Sequence, residues 1–151
     1  MEALLHGYPP LPGIAVTQRD GFERLPSLPR HLADNGFATH FVYGGWPTFS
    51  NFSNYWQAIG FESVLSKYDF SDRWFETSWG VADEILFDRV LQVMDEATQS
   101  TERVFLYTLT VTHHRPFDFP AGRIEFSADE RKREHAMAYA CLLYTSDAAD
   151  E

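Results

Sequence analysis

His113-His114-Arg115 stands directly after the most apolar strand-like run of the chain. Two imidazoles and a guanidinium in that position have the chemistry to bind a phosphate or to flank a metal. Adjacent residues on extended chain point to opposite sides, so one of the two histidines is expected to face a site. The plainer alternative is a surface loop with two solvated histidines. A second candidate is Tyr43-Gly44-Gly45-Trp46, after another strand-like run. Paired glycines permit positive φ and let a ligand approach the backbone closely. The aromatics beside them can stack on a sugar or glycerol moiety. On pattern alone, a strand-to-helix turn with core aromatics is the favoured reading of the same residues. It is not a phosphate-cradling loop, because the Lys-Ser/Thr pair of that motif is missing.

Other polar residues read more plainly. Asp83 and Glu84 open a long helix and suit its positive end. Asp69, Asp72 and Asp88 are expected on a solvated face, not in a metal cluster. His31 and His135 lie on helical stretches without a nearby partner and are expected at the surface. His40, inside a strand, is expected to be a satisfied core or edge residue. No Ser-His-Asp arrangement and no Gly-x-Ser-x-Gly elbow is present. The carboxylates at strand ends are too few to make a metal site from this segment alone.

The elements that must position these residues alternate. Residues 1–5 read as a helix end, and Gly7–Gly13 as a proline-rich loop. Ser27 can cap a helix that runs to about Asn35, with Gly36 as its stop. Phe37–Tyr43 reads as a strand and Ser50–Ile59 as a short helix stopped by Gly60. Phe61–Leu65 reads as a brief strand and 66–80 as mostly loop. Leu86, Val90, Val93, Met94 and Ala97 recur at helical spacing within 82–97. Arg103–Thr112 is the strongest strand. Its continuously apolar start predicts a central parallel strand covered on both faces. Ser127-Ala128-Asp129-Glu130 has the spacing of a capping box that opens a last helix. Alternating helices and strands predict an α/β fold with a parallel sheet. Such sheets place functional residues in loops after the carboxyl ends of strands, which selects the Gly44 and His113 loops.

Composition narrows the classes further. With 151 residues the chain suits one domain, and 44% hydrophobic content fits a folded chain, not a disordered one. A formal charge of −10 with no Lys/Arg cluster argues against nucleic acid as the main partner. No apolar run reaches the roughly 18 residues a membrane span needs. The opening residues lack the basic and apolar regions of a signal peptide. The tail Cys141–Glu151 breaks the style of the chain. Its first six residues can be encoded by TGTCTCTTATACACATCT, a transposon end used in sequencing libraries. It is therefore read as translated adapter, which leaves residues 1–140 as the native domain. Without the tail's three acids the formal charge is −7. The lone Cys141 then says nothing about compartment.

The order of short motifs is more specific than any one of them. Glu2-Ala3-Leu4-Leu5, Pro9-Pro10-Leu11-Pro12-Gly13, Leu25-Pro26-Ser27-Leu28, Asn35-Gly36-Phe37 and Phe41-Val42-Tyr43-Gly44-Gly45 follow one another. Gly60-Phe61, Ser78-Trp79-Gly80-Val81-Ala82-Asp83-Glu84 and Leu109-Thr110-Val111-Thr112-His113-His114-Arg115-Pro116-Phe117 complete the succession. This succession resembles the middle of the catalytic domain in the lipoteichoic acid synthase-like, or phosphoglycerol transferase, branch of the sulfatase (alkaline phosphatase-like) superfamily. It covers residues 1–140, up to His135-Ala136-Met137-Ala138-Tyr139-Ala140, so both ends are read as truncations.

The resemblance implies a partial α/β sandwich with a mainly parallel central sheet flanked by helices. It implies a catalytic domain outside the cytoplasm (periplasmic or extracellular), tethered to the cell membrane by segments absent from this sequence. It also implies a divalent metal, usually manganese, and a threonine nucleophile that takes phosphoglycerol from phosphatidylglycerol. The acceptor would be a cell-envelope glycan or a glycerophosphate polymer. The nucleophile would lie before Met1, and the metal ligands further upstream and beyond the tail junction. No catalytic residue and no metal ligand is therefore assigned within the segment, which alone is expected to be inactive.

What carries over is substrate binding. His114 matches the histidine of the family's Thr-x-x-His-x-Pro-Phe motif, which contacts the phosphoglycerol group. The loop of Tyr43, Gly44 and Gly45 is carried over as a pocket wall, with Trp46 and Arg115 assigned beside it as substrate-binding candidates. The family often has an acidic residue after the glycines, and some members have a Trp and an Arg a few residues later. This chain has Trp46, Ser50 and Phe52, which leaves headgroup specificity open. The alternatives are a sulfate or phosphate ester hydrolase of the same superfamily, and a non-catalytic envelope-binding module.

Overall fold

Phe37–Tyr43 can be an interior strand because it is apolar on both faces. A computed structural model describes residues 2–10, 12–71, 74–100 and 103–145. In chain order its helices are α1 (Glu2–His6), α2 (Leu28–Asp34), α3 (Phe52–Ala58), α4 (Asp83–Gln99) and α5 (Arg133–Thr145). The strands are β1 (Phe37–Tyr43), β2 (Ser63–Leu65), β3 (Glu76–Thr77), β4 (Gly80–Val81) and β5 (Arg103–Leu109). β1 pairs in parallel with β2, from His40↔Ser63 to Val42↔Leu65. It also pairs in parallel with β5, from Phe37↔Arg103 to Tyr43↔Leu109. The sheet order is β2-β1-β5.

Each face of β1 is covered by different helices, as a parallel sheet requires. Phe41 and Tyr43 enter a cluster with Leu5 of α1 and with Phe52, Tyr55 and Trp56 of α3. The Trp56 ring stacks on Phe41 at 3.8 Å with an interplanar angle of 21°. Val42 faces the other way and meets Leu86 and Val93 of α4, with Leu65 and Leu106 alongside. Fully burying a side chain such as Leu86 or Phe41 contributes about 1.5–3 kcal/mol. A smaller cluster of Phe119, Ala136 and Tyr139 fixes α5 beneath the loop that precedes it.

Several expectations need correction. The strand at Arg103 was expected to be central, but β1 holds the interior position and β5 is an outer strand of the three. β5 stops at Leu109, not Thr112, because its pairing partner ends at Tyr43. The region 66–80 is mostly loop as expected, interrupted by a short turn at Lys67–Asp69 and by the antiparallel pair β3–β4. Ser27 does not cap α2; its hydroxyl donates to the Ile59 carbonyl instead. α3 starts at Phe52, after a turn in which Ser50 and Asn51 have positive φ. Asn51 Nδ2 donates to the Thr17 carbonyl at 2.8 Å, and the Ser50 and Thr17 hydroxyls lie 2.9 Å apart. Those bonds fix the turn. Ser127 forms no capping box; Arg131 turns into the left-handed region and the helix opens at Arg133. The capping box forms at Ser66 and Asp69. α5 runs on through residue 145, while 146–151 lie outside the described residues.

Gly60 joins α3 to β2 at φ +107°, where a Cβ would lie 2.6 Å from the backbone N and Cα of Arg30. Gly60→Ala is expected to destabilise the fold by at least the roughly 1–3 kcal/mol of such backbone strain. Urea unfolding checks this, and an unchanged midpoint would contradict it.

Candidate functional site

Three segments meet at the carboxyl ends of β1 and β5. β1 runs out at Tyr43 into Gly44-Gly45. The β3–β4 hairpin crosses that point: Val81 donates its amide to the Gly44 carbonyl at 3.0 Å, and Gly45 bridges to Gly80. Gly80 has φ +149°, and a Cβ on it would run into the Gly44 carbonyl oxygen. The glycine pair was expected to adopt positive φ or to admit a ligand. Neither Gly44 nor Gly45 has positive φ, and what approaches their backbone is the chain's own hairpin. On the other side the Tyr43 ring folds back over Gly45. Tyr43, Gly44 and Gly45 are buried.

The loop after β5 is pinned from α4. Asp83 is fully buried, and its Oδ1 accepts the amides of Val111 at 2.9 Å and Thr112 at 3.2 Å. In return the Asp83 amide donates to Thr112 Oγ1 at 3.1 Å. The chain then turns, with the His114 amide donating to the Val111 carbonyl at 3.1 Å. That turn overturns the expectation that the two histidines diverge. Their rings lie stacked, 5.0 Å apart at 23°. The His114 ring also lies 5.2 Å from the Trp79 ring. The Trp79 indole N–H donates to the Arg115 carbonyl. His113, His114 and Arg115 are all exposed. His113 also borders a cavity of about 180 Å³ with Arg133, Met137, Ala140 and Cys141.

Trp46 sits at the rim, 39% exposed. Lys67 supports it from below: its ammonium is 5.7 Å from the Trp46 ring and 2.8 Å from the Glu76 carboxylate. The Lys67 amide donates to the Gly45 carbonyl at 2.9 Å, so the same residue holds the glycine loop. Tyr68 meets the Trp46 ring edge-on at 5.9 Å.

The structure thus brings His114 and Arg115 together with the hairpin, and the hairpin together with Gly44 and Gly45. His114 faces Trp79, and the hairpin links it to the glycine loop. Partial burial holds the His114 pKa below its ordinary 6.5; neighbouring His113 adds to this and Asp83 opposes it. Elsewhere, Asp69 caps its turn through Ser66, Asp88 and His31 are exposed, and Asp72 lies outside the described residues. His135, expected at the surface, is 7% exposed and stacks on Phe126 at 4.5 Å. His40 was expected to be satisfied, yet its Nε2 is buried without a partner. Among the described residues no three His, Cys, Asp or Glu side chains come together as a metal site. These residues therefore do not by themselves fit the implied metal. No described helix is long and apolar enough to cross a membrane.

A family model described as Sulfatase matches residues 1–150. The chain belongs to the sulfatase family. It is 26% identical over 125 residues to phosphoglycerol transferase I of Xanthomonas euvesicatoria, covering 80% of this chain and 17% of that protein. For phosphoglycerol transferase I of Escherichia coli the identity is 24% over 117 residues, covering 73% and 15%. The chain spans less than a fifth of the length of these relatives. Among solved structures, an alkaline phosphatase superfamily protein of Vibrio parahaemolyticus superposes with a TM-score of 0.82 at 27% identity, covering 92% of this chain and 35% of the other. A lipoteichoic acid synthase of Listeria monocytogenes gives 0.80 at 22% identity, covering 96% and 38%, a likeness of fold.

This sulfatase-family segment has site residues that sequence reasoning missed. Asp83 was read only as a helix-end charge, and Trp79 was given no role. Both lie in Ser78–Glu84, a motif of the same succession that contains the His114 loop, and that association was the available signal. Removing Asp83 leaves two buried amides unpaired, each worth about 1–3 kcal/mol. Asp83→Ala is expected to lower thermal stability accordingly and to speed amide exchange at Val111 and Thr112. Unchanged exchange there would contradict it.

The pH dependence has a definite sign. The unfolded His114 protonates near 6.5 while the folded one resists, so acid favours the unfolded chain. Stability is expected to fall as pH drops from about 6.5 toward the lower folded value, with no contribution above that window. In urea titrations at several pH values, His114→Gln should lessen the fall; an identical fall would count against it.

Proposed function

We propose that the protein containing this segment is a phosphoglycerol transferase of the sulfatase family. It moves phosphoglycerol from a phosphatidylglycerol-type lipid to a cell-envelope glycan or glycerophosphate acceptor, on the outer side of the membrane. The observation that carries this reading is His114: an exposed imidazole on a turn after a parallel strand, beside an indole, with its loop pinned by buried Asp83. The relatives named phosphoglycerol transferase I support the same reading.

In the net reaction the bond between phosphorus and the diacylglycerol oxygen breaks. An acceptor hydroxyl oxygen bonds to phosphorus, and its proton ends on the departing diacylglycerol. His114 contributes by donating a hydrogen bond to a phosphoryl or glycerol oxygen, which holds the group being transferred. The Arg115 guanidinium adds positive charge at the same rim, where an anionic headgroup enters. Trp46 offers a ring face for the glycerol or sugar carbons. A divalent metal, expected to be manganese, would be held by residues of the whole protein outside this set.

In the intact enzyme His114→Ala is expected to lower transfer about ten- to a hundredfold, the worth of one charge-assisted hydrogen bond, with the thermal melt unchanged. Labelled phosphatidylglycerol with and without acceptor checks it. Transfer equal to the parent would refute the role of His114. Glycerol phosphate released to water, with none passed to the acceptor, would assign a hydrolase instead.

A further inference from the structure

An exposed histidine on a loop has several open rotamers, so something must select one if the ring is to serve a substrate. We propose that Trp79 is that positioning residue: its indole holds both the His114 ring and the turn that carries it. This rests on the reading of His114 as the phosphoglycerol contact.

Two contacts reach the loop from one side chain. The indole and imidazole ring centres lie 5.2 Å apart with the planes tilted by 39°, and the indole N–H donates to the carbonyl of Arg115, the next residue. The ring contact limits where the imidazole can swing, and the hydrogen bond limits where its backbone can move. A ring that only filled space would not need its polar edge bonded to the loop.

Trp79 is itself held from the β1 side. Its amide donates to Thr77 Oγ1 at 3.1 Å, and that hydroxyl donates to the Gly80 carbonyl at 3.1 Å. The ring meets Phe49 edge-on, at 5.6 Å and 84°. Behind it, Gly80 lies against Gly44 with no space for a Cβ. The glycine loop therefore acts on His114 through the hairpin and the indole. It need not touch the substrate to matter.

The test is the NMR titration of the His114 ring in this chain, in the parent, Trp79→Phe and Trp79→Ala. The titratable groups bearing on His114 are His113 on the same loop and Asp83 at the start of α4. Trp79→Ala should raise the midpoint toward 6.5, because the burial that depresses it is lost, and should shift the His114 ring resonances. Trp79→Phe keeps a ring but not the N–H, and should restore most of the midpoint. Amide resonances away from the loop check that each variant folds. An unchanged midpoint and unchanged ring resonances in Trp79→Ala would overturn the proposal.

In the intact enzyme Trp79→Ala should slow transfer about tenfold or more, and the double variant with His114→Ala should be no slower than His114→Ala alone. Additive losses would show that Trp79 acts independently of His114 and would also overturn it. If His114→Ala leaves transfer intact while the titrations depend on Trp79, the positioning stands and the phosphoglycerol reading fails.

Discussion

Everything at the carboxyl ends of the strands depends on one steric fact: where the hairpin crosses β1's exit, Gly80 has no space for a side chain. Gly80 lies against the Gly44 carbonyl and bridges Gly45. Only at that closeness can Val81 donate its amide to the Gly44 carbonyl and tie the hairpin to the end of β1. The consequence is mechanical. Trp79 precedes Gly80 and is carried to the loop after β5, while Asp83 follows it and reaches the same loop through α4. The five-residue stretch Trp79–Asp83 thus supports the His114 turn from two directions.

The core beneath makes such a seat rigid. β1 is buried on one face by the aromatic rings of α3 and on the other by the aliphatic stripe of α4. Rings packed at 3.8 to about 6 Å leave little freedom for the strand that ends at Tyr43. Dense packing converts a short loop into a fixed platform, and the loop after β5 inherits its position from the same strand through parallel pairing.

Charge is handled locally in this acidic chain. Lys67 is buried, yet its ammonium meets Glu76 at 2.8 Å and lies beneath the Trp46 ring. Arg123 meets Glu84 at 2.8 Å, and Arg131 meets Asp118 at 3.0 Å. Those pairs tie loops to α4 and β3 and to each other, but partly exposed ones such as Arg131–Asp118 add little stability. The consequential polar contact is the buried one at Asp83, because its donors have no water to fall back on.

Much of the fold was legible in local sequence. Phe37–Tyr43 was bounded by glycines and patterned on both faces, and the observed strand has the same limits. Helical spacing from Leu86 to Ala97 identified α4, and alternating elements gave the α/β class. The order of motifs pointed to the sulfatase family, because short motifs in fixed succession are improbable without shared descent. What failed were features set by distant partners. Ser27 and Ser127 have the composition of caps, but Ile59 claims one hydroxyl and a left-handed Arg131 displaces the helix of the other. The β3–β4 pair is too short to leave a periodic signal. His113 and His114 were placed by a rule for extended chain that their turn breaks. The sequence by itself determined the α/β class, the limits of the interior strand and the family's succession of motifs. Only the tertiary structure decided that Trp79 and Asp83 support His114, because those contacts join positions about 30 residues apart, and no local periodicity encodes a contact across that separation.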